Sequence, residues 1–275
     1  MGTPSLKVSQ QDTTIIQQSS GRRAFMVKPE EYDGNIMVDL IRLLDDLFYK
    51  DIVNCRRCEF SQREPKHYNS KPEWNLPPQF QFWAKNKFPC KKDVYYTMYQ
   101  LNPTRWVEPN VVFVSLRPST GHIPSISDII FANALIKHGL AKERFNMDGD
   151  RFVYYETYVL VTDLICCRGP AKEMVEARHV EACIGHFIKQ LEILKEYYGK
   201  IPKIIAIGKS ITEPKLKLES VKKYLQEVGT KVIGTVPHYG RQKNPEEYIK
   251  KFDEALNKNR ITFKSVDFGH LRNIT

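Results

Sequence analysis

The feature that most constrains this chain is a regular alternation, over residues 110–258, of short apolar runs with amphipathic segments. The apolar runs cover residues 110–116, 158–167, 202–208 and 231–238. Segments with helical spacing follow them at residues 127–140, 175–198, 216–229 and 244–258. Strands that are apolar throughout and alternate with helices form a parallel sheet covered on both faces. The pattern predicts an α/β protein: a three-layer αβα fold with a central, mostly parallel four-stranded sheet.

The remainder of the chain divides into three parts. Residues 1–25 are polar with little periodicity, which predicts a disordered tail before a single domain at residues 26–275. A helical pattern over residues 36–55 leads directly into a Cys-x-x-Cys pair. Residues 60–108 contain all three tryptophans among interleaved lysines, which predicts an irregular insertion. This aromatic and basic segment either stacks on bases or sugars or forms a small satellite core.

The charge of the chain indicates its partner. A formal net charge of +10 attracts polyanions, nucleic acid first and an acidic membrane surface second. The polar start lacks the apolar stretch of a secretory signal, and no apolar run approaches the ~18 residues of a membrane span. We therefore expect a cytoplasmic monomer with no membrane partner. In that compartment the six cysteines are ligands, catalysts or core thiols rather than disulfides.

Polar side chains gather where the predicted strands end. In parallel sheets, ligands bind beyond the carboxyl ends of the strands. A turn follows the first predicted strand, an acid lies at the end of the second, and a histidine follows the last. We therefore expect these three groups to line one crevice. The helix that follows the first strand opens with Asp128, which is either a water-orienting group or an ordinary first-turn acid favoured by the helix dipole. The strand-end residues are Arg117, Pro118, Ser119, Thr162, Asp163, His238, Tyr239, Arg241 and Lys243.

The cysteines do not have the spacing of a zinc knuckle. Cys55 and Cys58 form one close pair, whereas Cys167 and Cys183 lie sixteen positions apart, at a strand end and inside the next helix. Four thiolates gathered from such scattered positions could hold an iron–sulfur cluster, and unligated core thiols are the alternative. Cys166 is an inward-facing neighbour, and Cys90 has no evident partner.

The motifs together resemble the iron–sulfur branches, the fourth and fifth families, of the uracil-DNA glycosylase superfamily. The resemblance covers about residues 40–256 and rests on VVFVSLRPST, VTDLICCRGP, EAC, PKIIAIGKS and VPHYGR. It implies an αβα fold, base excision from double-stranded DNA and a structural [4Fe–4S] cluster. The cluster ligands that it implies are Cys55, Cys58, Cys167 and Cys183.

Two departures from that family pattern bear on the substrate. Leu116 stands where the fourth family has Glu, so water activation passes to Asp128 as the substitute. Asp163 stands where the family has the Asn that reads uracil. A carboxylate only accepts hydrogen bonds, which suits the exocyclic amine of cytosine and repels O4 of uracil; if protonated, it could also donate to N3. The alternative is that Asp163 is a structural cap.

The residues and the resemblance predict a DNA glycosylase for a modified cytosine, since removal of ordinary cytosine would destroy the host genome. Glucosylated 5-hydroxymethylcytosine of phage DNA, removed in antiviral defence, is the expected target. In this reading His238 stabilises charge at O2 of the departing base, Tyr239 fills the gap in the helix, and Arg241 or Lys243 holds phosphates. The alternatives are a uracil-DNA repair enzyme and a non-catalytic iron–sulfur DNA-binding protein.

Overall fold

The computed structural model describes residues 35–52, 54–62, 99–102, 105–117, 126–148, 151–167, 174–240, 242 and 244–267. The predicted tail and most of the predicted insertion, residues 63–98, lie outside these ranges. The helices are α1 Asn35–Asp46, α2 Glu59–Gln62, α3 Ile126–Lys137, α4 Ala177–Tyr198, α5 Thr212–Leu216, α6 Glu219–Val228 and α7 Pro245–Lys258, and a π-helical segment, Leu47–Ile52, follows α1. The strands are β1 Tyr99–Leu101, β2 Arg105–Glu108, β3 Val111–Ser115, β4 Ala141–Asp148, β5 Arg151–Thr157, β6 Leu160–Asp163, β7 Lys203–Ile207, β8 Val232–Val236 and β9 Lys264–Asp267.

The central sheet has four strands in the order β6-β3-β7-β8, and all of them are parallel. This confirms the prediction of an α/β protein with a four-stranded sheet between helices. The alternation of side chains along β3 shows that both faces are covered. Phe113 packs into a cluster with Phe131 of α3 and Phe252 of α7. Val112 and Val114 pack into a second cluster, whose helical members include Leu40, Leu44, Phe187, Leu191, Val221 and Leu225.

The strand order places a topological switch point between β3 and β7. After β3 the chain turns to α3 and reaches the edge strand β6, whereas after β7 it moves the other way to β8. Loops that leave neighbouring parallel strands in opposite directions separate and leave room for a ligand. The fold therefore places the carboxyl ends of β3, β6, β7 and β8 around one potential site.

The prediction of irregular structure over residues 60–108 is wrong for its last part. β1 pairs in parallel with β5 at Tyr99↔Tyr155, and β2 pairs antiparallel with β9 at Arg105↔Asp267. β4 and β5 form an antiparallel pair beside β1. These strands are short or rich in polar residues, so they carry little of the apolar periodicity that identifies a strand in sequence.

None of the helices in the described part of the chain is long and apolar enough to cross a membrane.

Candidate active site

Asp163 lies at the carboxyl end of β6, directly opposite Ser115 at the end of β3. The Ser115 hydroxyl donates a hydrogen bond to Oδ1 of Asp163, and the carboxyl group is half-buried. Burial raises the pKa of Asp163 to about 7, the Ser115 hydrogen bond opposes this shift, and the negative charge of Asp128 adds to it. Asp163 can therefore act as a neutral acid or as a carboxylate close to neutral pH.

We expect the Asp163→Asn variant to be more stable than the parent protein above pH 7. Because the pKa of Asp163 is raised from 3.8 to about 7 on folding, its ionisation destabilises the folded state as the pH rises through this window. Asparagine keeps an oxygen that accepts from Ser115 and does not ionise. At pH 8 the melting temperature should rise by roughly 5 °C, and the gain should shrink below pH 7 and vanish near pH 4. A gain that is the same at pH 8 and pH 4 would contradict the raised pKa.

Asp128 lies in the first turn of α3, close enough to Asp163 for the two charges to interact. Its side chain is buried, and its backbone carbonyl accepts a hydrogen bond of 3.1 Å from the Tyr99 hydroxyl. Its charge contributes to the raised pKa values of both Asp163 and Tyr239, which places the three side chains in one electrostatic environment. The structure thus brings together the two carboxyl groups that the sequence singled out.

His238 follows β8 and is held in one protonation state. The backbone N–H of Gly240 donates to Nδ1 of His238 over 2.8 Å, so Nδ1 is an acceptor and the neutral ring carries its proton on Nε2. Burial lowers the pKa of His238, which favours the same neutral form. The Nε2–H group is then a donor without a positive charge.

Two glycines make room for the His238 ring. A Cβ atom on Gly208, at the end of β7, would lie 3.2 Å from Cδ2 of His238, and one on Gly240 would lie 2.7 Å from Cε1. Gly208 also has a φ of +103°, a backbone conformation that side chains with a Cβ rarely adopt. The ring is therefore packed closely against backbone on two sides.

The Gly240→Ala variant should displace His238. A Cβ atom within 3 Å of the ring cannot be accommodated without movement, and the displaced ring should lose the hydrogen bond at Nδ1. We expect the pKa of His238, followed by NMR titration, to rise towards its ordinary value of 6.5. Gly185→Ala is the matched control, because a Cβ there meets only the flexible end of Arg57. An unchanged His238 titration in Gly240→Ala would contradict the close packing.

Tyr239 points into the molecule. Its ring stacks on Phe131 with centroids 4.8 Å apart and on His238 with centroids 5.3 Å apart. Burial raises the pKa of the Tyr239 hydroxyl, and the charges of Asp128 and Asp163 raise it further. The ring is thus packed against the first apolar cluster, and its role in filling a gap in DNA stays a prediction. Sequence reasoning missed Ser115, which contacts Asp163 from the end of β3.

Of the other residues predicted for the site, the structure describes Thr162 and Arg117. The Thr162 hydroxyl donates to Oε1 of Gln190 over 2.8 Å, so this buried side chain anchors β6 to α4 and does not join Asp163. Arg117 is half-buried, with its guanidinium over the ring of Phe60. Pro118, Ser119, Arg241 and Lys243 lie outside the described residues.

Four thiols pack into the second apolar cluster: Cys58, Cys166, Cys167 and Cys183. The Cys166 N–H donates to Sγ of Cys183 over 3.3 Å. The pKa of the Cys166 thiol is raised, chiefly by a hydrogen bond with Cys183 and to a smaller extent by burial. Cys55 is half-buried three positions before Cys58, and Cys90 lies outside the described residues.

The chemical character of these side chains, thiols surrounded by apolar groups, is that of the ligands of an iron–sulfur cluster. Among the described residues, no group of three or more His, Cys, Asp or Glu side chains has the spacing needed to hold a metal ion.

A scan of the chain against protein-family models and a search of curated proteins found no match. Function is therefore inferred from the side chains at the strand ends and from the motif resemblance.

Proposed function

We propose that the protein is a DNA glycosylase of the uracil-DNA glycosylase superfamily that flips out and excises a modified cytosine. The expected base is glucosylated 5-hydroxymethylcytosine of phage DNA, and the product is an abasic site. The observation that carries the proposal is Asp163, an acid with a pKa of about 7 at the carboxyl end of β6. Perturbed carboxyl groups in such positions are typical of functional sites.

Asp163 has the chemistry to select cytosine. In its neutral form the O–H group can donate to N3 of cytosine while the carbonyl oxygen accepts from the exocyclic amine. Donation to N3 also withdraws electrons from the base and makes it a better leaving group. The neutral form could instead pair with N3–H and O4 of uracil, but the carboxylate repels O4. Above pH 7 the carboxylate has no O–H group to donate to N3, so excision of the modified cytosine should slow.

The remaining side chains supply the other parts of a hydrolytic mechanism. Nucleotide flipping brings the base into the pocket, as enzymes that act on a base require. As the bond from C1′ to the base nitrogen breaks, the Nε2–H of His238 donates to O2 of the base, where negative charge develops. Water attacks C1′, and the carboxylate of Asp128 orients it and accepts its proton.

The cysteines complete the proposal. Cys55, Cys58, Cys167 and Cys183 would hold a [4Fe–4S] cluster, whose contribution is to cross-link the N-terminal segment, the end of β6 and α4. The net charge of +10 supports a polyanionic partner, and contacts to phosphates would supply most of the affinity for duplex DNA.

Release of free base from phage DNA tests the proposal. The protein is incubated with phage DNA that carries glucosylated 5-hydroxymethylcytosine and with the same genome grown without the modification. Mass spectrometry should detect the glucosylated base and alkali should cleave the abasic sites, only in the first DNA. Release of uracil alone from deaminated DNA would favour a repair enzyme. No release from any DNA would favour a binding protein without activity.

A further inference from the structure

The two-cysteine turn, residues 55–58, is docked on α4 by a buried histidine. His179 is 1% exposed, and its Nδ1 accepts from the backbone N–H of Glu176 over 2.9 Å. Its Nε2 therefore carries the proton and donates to Oε1 of Glu59 over 2.6 Å. Glu59 directly follows Cys58, and His179 lies one helical turn before Cys183 on the same face of α4. This hydrogen bond, together with a 3.0 Å ion pair between Arg178 and Oε1 of Glu59, fixes the end of the turn against the helix that carries Cys183.

Phe60 extends this contact towards the strand ends. Its ring is fully buried and stacks on the His179 ring, with centroids 4.2 Å apart and planes at 22°. The guanidinium carbon of Arg117 lies 5.8 Å from the centroid of the Phe60 ring. Arg117 comes two residues after Ser115, the partner of Asp163 at the end of β3. A continuous chain of contacts thus runs from the two-cysteine turn to the edge of the candidate active site.

The contact with Phe60 restricts a side chain that would otherwise have many rotamers. A guanidinium within about 6 Å of a ring centroid is attracted to the aromatic face. Arginine held in this way presents its planar set of N–H donors in a fixed direction, and this set matches the oxygens of a phosphate. Lysine cannot substitute fully, because its ammonium group has no planar face to stack.

We propose that Phe60 positions Arg117 to bind a phosphate of duplex DNA beside the base pocket, so that the two-cysteine turn sets the DNA affinity of a site that contains no cysteine. This inference rests on the proposed function, because it takes DNA as the ligand of Arg117. It assigns Phe60 and His179 as positioning residues that act through Arg117.

A double-mutant cycle on DNA binding tests the coupling. Binding of a fluorescein-labelled duplex of unmodified DNA is measured over a range of salt concentrations for the parent, Arg117→Ala, Phe60→Leu and the double variant. Each single change should weaken binding roughly 5- to 10-fold and lower the slope of log K against log salt by about one, the effect of one lost phosphate contact. The double variant should bind as the single variants do.

Two controls separate positioning from general damage to the core. Phe187→Leu changes another fully buried ring of the same apolar cluster and should leave the salt slope unchanged. Arg117→Lys leaves the core intact and should weaken binding nearly as much as Arg117→Ala. Parent-like affinity in Arg117→Lys or Phe60→Leu, or additive losses in the double variant, would overturn the positioning role alone. A parent protein that binds no DNA would overturn the proposed function together with this inference.

Discussion

Replacing His238 by alanine is expected to lower the rate of base release by roughly 10²–10³-fold and to leave the affinity for DNA nearly unchanged, the cost typical of removing one donor to a developing oxyanion. The neutral ring offers one N–H group, fixed by the Gly240 N–H at Nδ1, and carries no charge for a phosphate. Its contribution should therefore appear in the transition state and not in the ground-state complex. Single-turnover rates and equilibrium DNA binding measure the two effects separately.

His138→Ala is a suitable control for this prediction. His138 lies just beyond α3, where its Nε2 contacts Asp253 over 2.8 Å, so its removal should change neither rate nor binding. If His238→Ala weakened DNA binding by the same factor as the rate, His238 would be a phosphate contact and not a donor to the leaving base.

Replacing Cys183 by serine is expected to abolish the iron–sulfur cluster and much of the stability of the fold. The parent, purified without oxygen, should be brown, with a broad absorption near ~400 nm and about four irons per chain. Cys183 is 5% exposed in the second apolar cluster, so the variant should leave a hydroxyl among apolar groups in addition to losing a ligand. Iron analysis and thermal unfolding measure both consequences.

Cys166→Ser is the matched control for the cluster. Cys166 contacts Cys183 through its backbone N–H but lies outside the proposed ligand set, so this variant should keep about four irons. A colourless parent protein that carries one zinc would contradict the cluster. Equal loss of iron in both variants would instead place Cys166 among the ligands.

The central sheet could be predicted from sequence because parallel strands buried on both faces are continuous apolar runs. β3 is fully buried and β7 nearly so, and both were found at their expected positions. Strands β1, β2, β4 and β9, which lie outside the central sheet, could not be predicted in this way. β4 reads AKERFNMD, and its pairing with β5 is stabilised by main-chain hydrogen bonds that leave no apolar signature.

The candidate site was predicted in part. Asp163, Asp128 and His238 stand out because polar groups follow apolar strands, and the structure places them at the same edge of the sheet. Ser115 was hidden inside an apolar run, although its place as the last residue of β3 could have indicated it. The bond between Glu59 and His179 joins residues 120 positions apart, a separation that pattern analysis of one sequence cannot bridge.

Base preference, measured on three duplexes that differ in a single nucleotide, tests the central claim most directly. The duplexes carry glucosylated 5-hydroxymethylcytosine, cytosine or uracil at one position, and cleavage at the abasic site is followed in single turnovers for the parent and Asp163→Asn. We predict that the parent cleaves the first duplex in strong preference to the other two at pH 7, where the neutral form of Asp163 that donates to N3 is populated. Asp163→Asn should lose most of that activity, because an amide N–H is too weak an acid to withdraw electrons from N3 as the carboxyl O–H does, and should gain activity on uracil, where the amide replaces a carboxylate that repels O4. An unchanged preference between the bases in Asp163→Asn would contradict the assignment of Asp163 as the residue that reads cytosine.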